Sequence, residues 1–241
     1  MTAGVNDELT DSPSIQGQSG AREFGKLWPF LKYSFIAAIL AEIALAGSNI
    51  LALNFFRRMS ASGGEIDERL VGAAANIGLH QGVTGSAYLI AFICAAIAYC
   101  RFYYRAVKNL HAVNAAGVRT TPFWAVGTFF IPIVNLWKPL GAVRQIWKAT
   151  FDPVSAAVSV PAMIGWWWFF WIVAGVLGNA STRLAWRSGG LLGEIGDLDM
   201  YMGSFAIDVL SAPPSIASAL LVLDFSKRIL IGQRTNILKT A

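Results

Sequence analysis

Four stretches of this chain are apolar over about twenty residues each: 33–56, 83–104, 160–179 and 200–225. A helix needs about 20 apolar residues to cross a hydrocarbon core of about 30 Å, so each stretch is long enough to span a bilayer. Only 14% of the 241 residues are charged, and the mean hydropathy is +0.53. A soluble domain carries about 25% charged residues. The chain therefore reads as an all-α integral membrane protein with a single helical bundle. It has no room for a second large domain.

A fifth apolar stretch, 121–148, is broken. Thr121 followed by Pro122 is an N-cap with proline at the first helical position. Trp124 and Gly127 lie in the apolar run that follows. Pro132 then removes a backbone donor and clashes with the turn before it. Asn135, Trp137 and Pro139 come next, and from Leu140 the pattern is amphipathic: Leu140, Val143 and Trp147 keep helical spacing while Arg144 and Lys148 face elsewhere. The stretch reads as a Pro-broken re-entrant or interfacial helical hairpin, with a kinked fifth span as the alternative. Irregular backbone survives at membrane depth only when protein or trapped water satisfies it, so the spans should pack around the hairpin.

The distribution of Lys and Arg discriminates between the two topologies. If 121–148 crosses the membrane, one side collects nine of the 19 and the other ten, which gives no orientation. If it dips in and returns, one side collects 14 and the other five. The positive-inside rule then places both termini in the cytoplasm of a bacterial inner-membrane protein. Residues 1–21 are polar and lack a signal-peptide pattern, so they read as a disordered cytoplasmic tail. One helical domain is expected over 22–232 and a short basic tail over 233–241. The +5 net charge sits beside apolar runs, which points to anionic lipid at the cytoplasmic face and away from nucleic acid.

Carboxylates inside spans are costly and default to function. Glu42 falls near mid-depth of the first span, on a small polar face with Ala38, Ala46 and Asn49. Asp208 falls in the last span, before the pair Pro213 and Pro214, which should kink it. Glu42 reads either as a proton or cation site or as an acid held by Asn49, Arg101 or Arg105. Arg101, Arg105, Asn109, Asn135, Trp137 and Asp152 form a candidate cytoplasmic-face group. Within it, Asn135 is expected to satisfy backbone freed by Pro132, and Asp152 to cap a turn. Trp166, Trp167, Trp168 and Trp171 should pack in part on the hairpin, and Gly175 and Gly178 should allow close helix approach. Cys94 and Cys100 are six residues apart, about 240° around a helix, and should not pair. His80 and His111 are isolated. There is no metal-ligand cluster, nucleophile–base pair or phosphate loop, so neither cofactor nor enzyme activity is expected.

The segment 102–153 resembles a bacterial membrane family, the domain of unknown function 4328. The features that carry this are Tyr104, Arg105, Ala106 and Asn109; Pro122, Trp124, Ala125, Val126 and Gly127; Ile131 through Pro139; Ile146 through Ala149; and Asp152 with Pro153. The likeness extends over about 84–225, including the tryptophan-rich span. It implies helical membrane topology and no activity. Two functions follow as expectations. The first is a non-enzymatic structural, regulatory or interaction subunit, with another membrane protein or a second copy as partner. The alternative is a small-solute or ion permease component that uses Glu42 and Asp208. A third, weaker reading is an enzyme acting on lipid within the membrane.

Overall fold

The computed structural model describes residues 21–61, 68–189 and 196–238. The chain forms helices α1 (Leu27–Ala61), α2 (Glu68–Ala112), α3 (Pro122–Gly127), α4 (Lys138–Phe151), α5 (Ala162–Arg187) and α6 (Leu198–Asn236). The protein is an all-α membrane protein: α1, α2, α5 and α6 are long and apolar enough to cross a bilayer. At most 22% of each apolar window is buried inside the bundle, so side chains such as Leu40, Ile43, Ile90, Ile97 and Leu220 face outward. Water would not tolerate such a surface, whereas lipid does.

The helices run longer than the apolar stretches indicate. Helix α1 continues past 56 to Ala61, and α2 starts at Glu68, well before the apolar stretch at 83; Ala73, Ala74 and Ala75 favour the helical state. Helix α5 continues past 179 to Arg187. Helix α6 passes through Pro213 and Pro214 without ending. It also takes in the first four residues of the expected basic tail, 233–236, and Gln233 and Ile237 are fully buried. Gly232 makes this docking possible: a Cβ there would lie 2.7 Å from Thr150 Cγ2 on α4. The expected N-terminal tail lies almost wholly outside the described residues.

Helix α1 packs on α2 and α6, and α5 packs on α6, whereas α2 and α5 stand apart along most of their length and meet through side chains near the hairpin, Tyr99 on Trp167 with ring centroids 6.4 Å apart. The hairpin fills one end of the gap between them. Thr121 caps α3 by accepting from the Trp124 amide at 3.4 Å, with Pro122 in the first turn. The helix stops at Gly127, and two 3-10 turns, Thr128–Phe130 and Val134–Leu136, carry the chain around Pro132. Pro139 opens α4, whose buried side carries Val143, Ile146 and Trp147 while Arg144 is exposed. The two ends of the hairpin meet. The Ala116 amide donates to Pro153 O at 2.8 Å, and Gln145 Oε1 accepts from the Arg119 and Thr120 amides at 3.0 and 3.2 Å. The tip packs Phe129 on Tyr99 and Trp171, with ring centroids 5.2 and 6.4 Å apart. Trp168 Nε1 donates to Leu136 O at 3.2 Å, so the tryptophan cluster does pack on the hairpin. Tyr99 lies eleven residues before Leu110, so the tip reaches about 16 Å along α2.

The largest buried side chains, among them Tyr103, Phe102, Trp167, Phe225 and Ile146, all belong to the hairpin end of the bundle. Aromatic contacts knit them together: Phe24 on Phe102 at 4.7 Å and Trp167 on Phe225 at 5.2 Å. Along the middle of the bundle many facing residues are small and the interior is hollow, until Phe56, Tyr201 and Phe205 pack together near the opposite end.

Candidate functional site

The hollow is a cavity of about 820 Å³ bounded by α1, α2, α5, α6 and the hairpin tip. Close-packed interiors rarely hold a void larger than one water, so a space of this size needs a cause in the sequence. The cause is small residues on facing helices: Ala38 and Ala46 on α1, Ala95 on α2, Ala174 and Gly178 on α5, Ala219 on α6. A Cβ added at Gly175 or Gly178 would meet nothing within 4 Å. These glycines therefore do not bring helices together, as their spacing suggests; they widen the space. The reason is that α2, the helix across the gap, stands apart from α5.

Glu42 and Asp208 both line this cavity. Glu42 is 8% exposed, and its Oε2 accepts from Ser215 Oγ at 3.3 Å. The Tyr88 hydroxyl also faces its carboxyl. Asp208 lies two turns before Ser215 on α6, about 10 Å along the axis, with the Ser181 hydroxyl beside it. Ser181 itself donates to Ser204 O at 3.0 Å. An acid at the centre of a spanning helix costs about 2.5–3.5 kcal/mol, and the hydroxyls beside Glu42 and Asp208 offer hydrogen bonds but no counter-charge. Among the described residues neither acid has a basic partner, and no Lys, Arg or His lines the cavity. The pairing of Glu42 with Arg101 or Arg105 is thus corrected, because those arginines lie on the far side of the tip. Asn49 does not hold Glu42 either. It is 2% exposed, lines the cavity, and its Nδ2 has no hydrogen-bond partner. The Tyr99 hydroxyl, on the cavity floor, is likewise buried and unpartnered.

The residues grouped by sequence at the hairpin end are not brought into one site. Asn109 is fully buried and structural: its Oδ1 accepts from the Arg22 amide at 3.0 Å, and its Nδ2 donates to Arg22 O at 3.0 Å and Gln233 Oε1 at 3.2 Å. Gln233 Nε2 donates in turn to Ala106 O at 3.0 Å and Thr150 Oγ1 at 3.3 Å. Arg101 and Arg105 instead flank a shallow groove of about 360 Å³ with Leu27, Tyr104 and Val126. Asn135 sits at the hairpin tip, where its Oδ1 has no partner. The turn after Pro132 is closed by its backbone, Asn135 N to Ile131 O at 2.8 Å, so the side chain does not do this. Trp124 and Trp137 are about half exposed, and only Trp147 among the hairpin tryptophans is buried. Asp152 closes a turn, accepting from the Ser155 hydroxyl and from the Ser155 and Ala157 amides at 2.9 and 3.0 Å. Those donors, the Ser155 hydroxyl first, lower its pKa to about 2. Cys94 and Cys100 are free thiols.

Sequence reasoning missed Tyr88, Ser215, Gln145 and Gln233. Tyr88 and Ser215 meet Glu42 from other helices, and no spacing along one helix encodes such a meeting.

A family model described as Domain of unknown function (DUF4328) matches residues 67–229, and the chain belongs to this family. No curated protein and no solved structure matches the chain.

Proposed function

We propose that this member of the family is a non-enzymatic solute-binding and permease protein of a bacterial inner membrane, with the cavity around Glu42 and Asp208 as its binding site. The observation that carries this reading is the pairing of two unneutralised acids with about 820 Å³ of space in one bundle. Binding pockets for small molecules are about 300–1,000 Å³ and mostly apolar, with a few convergent polar groups. Broken segments beside intramembrane acids are a recurring arrangement in transporters. The hairpin tip, through Phe129 and Tyr99, closes the cavity at one end. We further propose that the hairpin enters from the cytoplasmic face and returns to it, with both termini on that side. The hydrogen bond between Ala116 and Pro153 and the 14-to-5 division of Lys and Arg support this. Arg101 and Arg105 would then hold an anionic lipid head group at that face.

The experiment is a thermal-shift screen of the purified protein against small amphipathic solutes grouped by charge. At least one class should raise the Tm of the wild type by several degrees and leave Gly178→Leu, which fills the cavity, unmoved. A different result, in which no class stabilises the protein and a second membrane protein co-purifies in equal amount, would favour the interaction subunit. That second reading has its own observation: Phe123 and Ile133 of the hairpin, which do not line the cavity, are about two-thirds exposed.

A further inference from the structure

The cavity's chemistry narrows the solute. We infer that the site takes an amphipathic organic cation, an amine or quaternary ammonium with an aromatic or alkyl body; this rests on the cavity being a binding site at all.

The first argument is charge. Glu42 and Asp208 bring two carboxyls to one wall system, and no lining residue is basic. An anionic solute would meet only like charge in a low-dielectric setting, where repulsion is little screened. A neutral solute would leave both acids without a counter-charge. A cation supplies the missing partner.

The second argument is the walls. Tyr88, Phe92, Tyr99, Phe129, Trp167 and Trp171 line the same space. Aromatic faces attract ammonium groups, tryptophan most strongly, and they bury alkyl and aryl surface equally well. The third argument is size. A bare metal ion or a proton needs no cavity of about 820 Å³, whereas a drug-sized organic molecule does. The fourth is the buried groups left open. Asn49 Nδ2 and the Tyr99 hydroxyl have no partner in the protein, although both residues are more than nine-tenths buried. Buried polar groups are nearly always satisfied, so these two groups are open to a water or a solute in the cavity. They lie toward opposite ends of the cavity from the Glu42 level, which suits an elongated molecule with its charge near the middle.

The test compares two ions of the same shape and opposite sign, tetraphenylphosphonium and tetraphenylborate, on the full-length protein in nanodiscs. Quenching of the cavity tryptophans reports binding, with protein-free nanodiscs as the partition control. The phosphonium should bind at least tenfold more tightly than the borate. Glu42→Gln and Asp208→Asn should each weaken the phosphonium at least tenfold, with the melting midpoint retained. Gly178→Leu should remove the signal. If both ions bind alike and Gly178→Leu removes both, the cavity is a binding site but the cation assignment is wrong. If neither ion quenches the wild type above the control, the assignment and the binding site fall together. The comparison of the two ions on the wild type needs no variant, so a misfolded mutant cannot obscure the result.

Discussion

Gln233 and Asn109 show how single residues hold the closed end of the bundle. Each is fully buried, and together they tie the segment before α1 to α2, α4 and α6. Removing one leaves a buried partner unsatisfied at a cost of about 1–3 kcal/mol. Gln233→Ala and Asn109→Ala should each lower thermal stability in detergent, and the double variant should lose less than the sum because the two share a network. A strictly additive double variant would show that they act independently. Asp152 makes a pH prediction. Its folded pKa, about 2, lies below the ordinary carboxyl value of 3.8. The turn it closes is therefore fully stabilised above about pH 4, and that support is lost as pH falls toward 2. Protease sensitivity at 152–157 should rise over that window in the wild type and be pH-independent there in Asp152→Asn. At this scale the sequence was partly legible. Glu42 and Asp208 stand out because an acid in an apolar run is costly wherever the run folds. Gln233 does not stand out, because a glutamine near the end of a long helix is as easily a solvated residue as a buried one.

The hairpin is the element that departs most from a plain four-helix bundle. Its break was written in Thr121, Pro122, Pro132 and Pro139, whose effects on backbone are local and need no neighbour. What holds the returned chain was not legible, because Gln145 meets Thr120 and Trp168 meets Leu136 only after the turn has formed. Trp168→Phe removes the bond to Leu136 O and should loosen the tip without unfolding the bundle. Hydrogen exchange at 128–136 should rise severalfold while 98–107 on α2 stays protected. Gln145→Ala should act from the other end and free the amides of Arg119 and Thr120. If the hairpin is re-entrant, Arg119→Cys and Arg144→Cys, in a background without Cys94 and Cys100, react with an impermeant maleimide from the same side of the membrane. Reaction from opposite sides would mean that the segment crosses. The two glycines of α5 are the instructive misreading. Their spacing is that of a close helix contact, yet α2 across the gap stands off, and a Cβ at either glycine would meet nothing within 4 Å. Periodicity tells which residues share a face, but not whether that face is filled.

Seen whole, the molecule is solid at the hairpin end and hollow through its middle. The solid end gathers the segment that leads into α1, the end of α6, the hairpin and 13 of the 18 described basic residues. The hollow part holds two acids and no base. Membrane class and span number followed from composition and run length, because lipid selects on those alone. The cavity did not, since a void is set by what four helices jointly fail to fill. Our account stands on that void being open to solutes and negative in character. The direct measurement is the reaction of Ser211→Cys, a cavity position on α6, in a background without Cys94 and Cys100. Two methanethiosulfonates of similar size are compared, one carrying trimethylammonium and one carrying sulfonate. We expect the cationic reagent to react at least tenfold faster relative to its rate with free thiol, and Glu42→Gln with Asp208→Asn to erase most of the difference. Equal rates for the two reagents, or no reaction with either, would contradict the account.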